Sequence, residues 1–289
     1  MRPNDAEWAA IRQIEQLRGS RVLVLVATTI DRDLLPALYE TCRAMGRQDT
    51  LDVVLLTRGG VVNDARRVGL LLRSLAARLT FIVPHHCESS GTLLALAADE
   101  IIAGDLAIFS PIDPHLIGES GGAAGSSLSW LDVTTFPAMA REWFGVEPRA
   151  AGMALLELLC GSVSAQALTM FYRISKEMQA TALEMAAHPM RHVALEARQG
   201  IVAELMGGQR SHDYAFTGSE LAQLGLAVVR DPSVEDAAWV FAKMASERMG
   251  GANRVDGEWC DVLVATRDEA RTRVRSAGGA GACWQRSVP

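Results

Sequence analysis

The chain has 289 residues, 49% of them hydrophobic and 21% charged, and a formal net charge of −6 at pH 7. That is enough apolar material for a sizeable core, in one large domain or two small ones, and it excludes a disordered chain. The negative balance gives no overall attraction to nucleic acid or to an anionic lipid surface. Lys176 and Lys243 are the only lysines, so a lysine base would have just two sources. Five cysteines (Cys42, Cys87, Cys160, Cys260 and Cys283) are widely spaced and form no C-x-x-C pair. This is the usage of a reducing compartment, and a cytoplasmic location is expected. The N-terminus lacks the apolar stretch of a signal peptide. No run approaches the ~18 apolar residues of a membrane span, so no integral membrane segment is expected.

In chain order, residues 5–18 place Trp8, Ile11, Ile14 and Leu17 at helical spacing. RVLVLVATT (21–29) is predicted as a buried strand, 34–46 as an amphipathic helix, and LDVVLLT (51–57) as a second buried strand ending at RGG. A helix over 63–79, a strand over 80–84, a helix over 90–103 and a strand over 106–112 follow. Strands alternating with helices imply a parallel sheet covered on both faces, whose sites form at the carboxyl ends of the strands. Here those ends are TRGG, HHCESSG and FSPIDPH. Residues 117–129 are polar and rich in glycine and serine, which predicts a loop. Residues 132–206 are predicted mostly helical, broken at Pro137, Pro148 and Pro189, with one long helix over 164–187. Residues 207–229 suggest a loop, a helix capped by Thr217 or Ser219 and ended at Gly225, then a short strand. Beyond about Thr272 a frayed, glycine-rich tail is expected.

Two features carry chemistry. Gly59 and Gly60 after a strand leave backbone N–H groups free and let a substrate backbone approach closely. Ser89 and Ser90 stand at the turn into an apolar helix, CESSGTLLALAADEI. Together they offer a nucleophile and N–H donors for an oxyanion. Taken alone, the glycine pair is an ordinary turn and the serines an ordinary helix cap.

The succession LDVVLLTRGG, TFIVPHHCESSGTLLALAADEI and LAIFSPIDPHL, followed by Ser211-His212-Asp213-Tyr214, Glu220 and Leu224-Gly225-Leu226, resembles the serine dehydrogenase proteinase family. That family belongs to the Clp-protease/crotonase superfamily and is related to signal peptide peptidase A. The resemblance covers about residues 10–230. It implies a Clp/crotonase-like α/β fold, a ββα superhelix with a helical C-terminal part. The peptidase domain would occupy residues 1–230, and 231–289 would be a helical extension with a flexible tail.

The family motif A-M-S-A-G-T falls on Cys87-Glu88-Ser89-Ser90-Gly91-Thr92. The resemblance therefore implies Ser89 as nucleophile, Ser90 as one backbone donor and Gly59 or Gly60 as the other. The general base stays open among His212 with Asp213, His115 with Asp113, and Lys176. His85 and His86 lie close in sequence. The lysine of related enzymes falls on Gln166, which cannot accept the proton, and Arg58 and Glu88 replace a proline and a methionine. An ion pair between Arg58 and Glu88 would offset the negative field that Glu88 places beside the nucleophile.

The resemblance implies a serine peptidase with a peptide or protein substrate, working as a ring-like homo-oligomer without a cofactor. Two alternatives stand: a catalytically inactive relative that binds peptides or acts as a scaffold, and a crotonase-like acyl-thioester enzyme. Neither a P-loop nor a dinucleotide fingerprint is present. His188 and His192 stand four apart, but Pro189 between them argues against a metal site.

Overall fold

In β1 (Arg21–Ala27), Val22, Val24 and Val26 enter one buried cluster and Leu23, Leu25 and Ala27 another. Both faces of this strand are therefore covered, as its near-continuous apolar sequence requires. The computed structural model describes residues 3–113, 115–117, 127–208, 211, 213–250, 258–276 and 282–289.

The parallel part of the sheet consists of β1, β2 (Gln48–Thr57), β3 (Ala76–Val83), β5 (Glu100–Ala103) and β9 (Val228–Val229), adjacent in that order. Two two-residue strands, β4 (His86–Cys87) and β6 (Ile108–Phe109), extend from β2. On the other side of β1 come β10 (Glu258–Ala265), β11 (Ala270–Ser276) and β12 (Cys283–Ser287), all antiparallel.

One core cluster packs α1 (Asp5–Arg18) and α10 (Pro232–Arg248) on the sheet. The other packs α2 (Leu34–Met45), α3 (Val62–Leu75), α4 (Ser90–Ala95), α7 (Ala165–Ala187) and α8 (Leu195–Leu205) on the opposite face. α5 (Trp130–Phe144) and α6 (Pro148–Ser162) precede α7. The remaining elements are a small pair, β7 (His115–Ile117) with β8 (Ser127–Ser129), and α9 (Gly218–Leu224).

Several sequence expectations hold closely. α1 spans residues 5–18 with Asn4 and Glu7 forming a reciprocal cap. α9 is capped by Thr217 and ends at Gly225 with φ 103°. Elsewhere the structure departs from them. The helix expected over 90–103 stops at Ala95, and Glu100–Ala103 is instead a strand between β3 and β9. Asp99 makes the transition: its N–H donates to Leu79 O at 2.8 Å, and its carboxylate accepts from Leu79 N at 2.8 Å. The preceding helix ends at Leu75 rather than Leu79, because residues 76–79 already pair with β2. Pro137 lies inside α5 instead of breaking it.

The expected helical extension beyond residue 230 begins as α10 but ends as three strands of the main sheet. Arg271, Arg273 and Arg275 alternate along β11 and reach carboxylates of neighbouring elements, while Ala270, Thr272 and Val274, which alternate with them, are buried. Of the loop expected over 117–129, residues 118–126 lie outside the described residues, and Ser127–Ser129 is a strand.

β10 covers the edge of β1 through the pairs Val24–Ala265 to Ala27–Val262. A chain ending after residue 250 would expose that edge and the apolar residues behind it. Such a truncation is expected to be insoluble or to lose the cooperative melting of the full chain, as soluble yield and circular dichroism would show. A truncated chain that melts like the full one would contradict this role of β10–β12.

Candidate active site

Three strand ends converge: Thr57 at the end of β2 pairs with Cys87, and Cys87 pairs with Phe109. Ser89 lies just beyond Cys87, at φ 52° and ψ −114°, and is the only non-glycine residue with positive φ among the described residues. Such a conformation costs on the order of 1–3 kcal/mol and persists only where its surroundings impose it.

The impositions are visible. Glu88 N donates to Thr57 O at 3.0 Å, Ser89 N to Ser110 Oγ at 2.7 Å and Gly91 N to Glu88 O at 2.8 Å. Thr92 Oγ1 lies 2.9 Å from Cys87 O and 2.8 Å from Ser110 O and ties the two strand ends together. Ser89 occupies the N-cap position of α4, yet its side chain makes no capping hydrogen bond. Its hydroxyl is thus not used in the ordinary way for a serine at a helix start.

The glycines are dictated by contact. A Cβ on Gly59 (φ 101°) would lie 2.9 Å from Glu88 O and 2.9 Å from Ser89 Cβ. One on Gly60 (φ 143°) would lie 2.2 Å from Ile30 O. One on Gly91 would lie 2.6 Å from Thr57 Cγ2. The Gly59–Gly60 segment is fixed by Ile30, whose N–H donates to Gly59 O at 2.7 Å and whose carbonyl accepts from Val61 N at 2.8 Å. Gly59 N donates to Thr57 Oγ1 at 3.1 Å. Ser90 is fully buried, and its hydroxyl has no hydrogen-bond partner among the described residues.

The charged groups nearby are arranged locally. His86 Nδ1 hydrogen-bonds the Glu88 carboxylate, and the His85 and His86 rings stack edge-on with centroids 3.9 Å apart. Burial lowers the His85 pKa, with the charges of His86 and Arg58 acting in the same direction. His86 is thus a partner of Glu88, and Arg58 is exposed. Cys87 is wholly buried, which raises its thiol pKa well above the ordinary range, and the charge of Glu88 adds to that. This thiol is a packing group beneath the turn rather than a nucleophile.

The candidate bases are distributed as follows. His212 lies outside the described residues, and its neighbour Asp213 is exposed. The backbone of His115 pairs with Ser129 in the β7–β8 ladder. Asp113 is buried and accepts a hydrogen bond from the Ser129 hydroxyl. Lys176 is exposed on α7, with Nζ 5.7 Å from the centroid of the Tyr172 ring. Gln166, at the position of the related enzymes' lysine, is exposed in the first turn of α7. Among the described residues no cluster of three or more His, Cys, Asp or Glu side chains is placed to hold a metal ion. Sequence reasoning missed Ser110, Thr57 and Ile30, whose polar atoms hold the serine turn and the glycine pair. The signal for the first two was their position inside the motifs FSPID and LLTRGG.

Residues 4–128 match the model of the ClpP-like SDH-type serine proteinase family. An uncharacterized protein of Methanocaldococcus jannaschii is 28% identical over 235 residues, covering 75% of this chain and 70% of the relative. A second uncharacterized protein of the same organism is 38% identical over 79 residues, 27% of this chain and 28% of the relative. Among solved structures, the chain is similar to a mutant of the 1510-N membrane-bound stomatin-specific protease. The TM-score is 0.40 and the identity 14%, over 69% of this chain and 73% of that chain. The mixed α/β fold is ClpP-like, as the family match indicates.

Two substitutions test this geometry. Gly59→Ala places a Cβ against Glu88 O and Ser89 at a backbone angle alanine resists, and is expected to destabilise the fold by about 1–3 kcal/mol in urea unfolding. Ser90→Ala removes a buried hydroxyl with no partner among the described residues and is expected to stabilise by about 1 kcal/mol. A stabilising Gly59→Ala or a destabilising Ser90→Ala would contradict the packing described.

Proposed function

We propose that the protein is a serine peptidase in which Ser89 attacks a peptide carbonyl and forms an acyl-enzyme. The observation that carries this reading is the positive φ of Ser89 together with a hydroxyl that makes no capping hydrogen bond among the described residues, beside a glycine that tolerates no Cβ. As Ser89 Oγ bonds to the carbonyl carbon, its proton passes to a base and the carbonyl oxygen takes up the negative charge. Ser90 N–H and the N–H of Gly59 or Gly60 receive that oxygen. The intermediate collapses by expelling the amine, which takes the proton from the base, and water then repeats the sequence on the ester.

In this reading His212, supported by Asp213, is the base; His115 with Asp113 comes second and Lys176 third. Of the two glycines Gly60 is favoured, because the Gly59 N–H is already donated to Thr57.

One alternative has specific support. Exposed Gln166 in the lysine position and the occupied Gly59 N–H favour a non-catalytic relative that binds peptides or acts as a scaffold.

A homo-oligomer, ring-like as in the family the sequence resembles, is proposed as the working form. Trp143, Phe144, Met153, Leu158 and Tyr172 are large apolar side chains at least 63% exposed along α5, α6 and the start of α7. An exposed group of that kind favours assembly. Among the described residues no single helix is long and apolar enough to cross a membrane. The α6–α7 pair reaches that length and composition only together, across a bend of 100°. All five cysteines are free thiols, which a reducing compartment maintains, and the cytoplasm is the proposed location.

A fluorophosphonate probe is expected to label the wild type and not Ser89→Ala, and light scattering after size exclusion is expected to give a multiple of the chain mass. Unlabelled wild type that is folded and assembled would leave the non-catalytic reading.

A further inference from the structure

The guanidinium of Arg273 in β11 is 1% exposed and grips two carboxylates from different parts of the chain. Its two terminal nitrogens donate to both oxygens of Asp31, each at 2.7 Å. Nε and one terminal nitrogen donate to Asp261 in β10, at 2.8 and 3.0 Å. Trp284 of β12 lies against the guanidinium, its ring centroid 5.8 Å away, and Arg275 also reaches Asp261. Burial alone would favour the neutral form of Asp31, but the hydrogen bond and charge of Arg273 outweigh it and hold the carboxyl below its ordinary pKa.

Such a cluster is a poor source of stability. Desolvating an arginine and two carboxylates costs several kcal/mol per ion, and apolar residues in the same volume often do as well. What a planar guanidinium fork does provide is fixed geometry at both ends.

The geometry fixed here leads to the candidate active site. Asp31 adjoins Ile30, and its Oδ1 accepts Leu34 N–H at 3.2 Å at the start of α2. Two residues before Ile30, Thr28 N donates to Asp261 O at 2.9 Å and Thr28 Oγ1 to Gly250 O at 3.0 Å. The segment 28–31 is therefore pinned at both ends by the C-terminal part of the chain. Ile30 between them accepts from Val61 N and donates to Gly59 O, and Gly60 packs so closely on it that not even a Cβ fits. Gly59 in turn touches Ser89 with the same lack of room. Each contact is direct, so a displacement of Asp31 has no slack in which to be absorbed before it reaches the glycines.

We propose that Arg273, acting through Asp31 and Ile30, is a positioning residue that sets the Gly59–Gly60 peptides beside Ser89. The C-terminal strands, which lie beyond the segment 4–128 that matches the family, would then be part of the site's support. The proposal rests on the peptidase reading only for its effect on chemistry; its effect on backbone geometry stands apart from it.

The test uses the full chain with Asp31→Asn, which keeps the Oδ1 acceptor for Leu34 but turns an amide toward the guanidinium, and Arg273→Lys, which keeps the charge but loses the fork. Hydrogen exchange is followed at the Ile30 and Val61 amides, with Val24 and Leu55 as controls inside the sheet. Fluorophosphonate labelling is resolved into binding and inactivation constants. In a folded variant, exchange at Ile30 and Val61 is expected to rise about tenfold with the control amides unchanged. The inactivation rate constant is expected to fall about tenfold with the binding constant unchanged. Unchanged exchange at Ile30 and Val61 in either folded variant overturns the proposal, as does a normal inactivation constant where the wild type is labelled. If the wild type takes no label, the peptidase reading fails and the exchange measurement alone decides the positioning role.

Discussion

Contact between the Gly60 backbone and Ile30 is the constraint on which the candidate site depends. With 2.2 Å between a notional Cβ and the Ile30 carbonyl oxygen, only glycine lets the chain leaving β2 run along the chain leaving β1. The hydrogen bonds from Ile30 N to Gly59 O and from Val61 N to Ile30 O then fix the orientation of these peptides. Every other part of the turn is built outward from there: Gly59 against Ser89, Ser89 N on Ser110 Oγ, and Gly91 over Thr57. The sheet supplies rigid strand ends and the glycines supply close approach. The strained serine conformation is the residue of fitting three such ends together.

Polar and apolar groups divide the work around this point. Cys87, Thr92 and Ser90 face inward and are buried beneath the turn, whereas His85, His86 and Glu88 lie partly exposed around it. The His86–Glu88 hydrogen bond places an imidazole beside the carboxylate next to Ser89. The sequence suggested Arg58 beside that carboxylate. His86 reaches it because residues 86 and 88 flank Cys87, whose own side chain is buried.

Legibility in the sequence followed the strength of local periodicity. β1 and β2 were evident because a strand covered on both faces is apolar throughout, and α9 because Thr217, Glu220 and Gly225 carry its caps. Ser89 and the glycine pair were legible as motifs, although their mutual contact was not. Residues 100–103 were misread because EIIA is too short to show a period and follows an alanine-rich helix; only the pairing with β3 and β9 decides it. The C-terminal strands were missed for another reason. ARTRVRS has a clear period of two, but its recurring residue is arginine rather than an apolar one. The partners that make those arginines intelligible, Asp31 and Asp261, are 242 and 12 residues away from Arg273.

The central claim is that a strained Ser89 faces backbone donors held by the glycine segment. A crystal structure of the chain reacted with a fluorophosphonate tests it most directly. The account predicts phosphorus bonded to Ser89 Oγ, Ser89 still at positive φ, and a phosphoryl oxygen about 3 Å from Ser90 N and from a Gly59 or Gly60 nitrogen. Phosphorus on another residue, or a phosphoryl oxygen directed into solvent away from those amides, would contradict it.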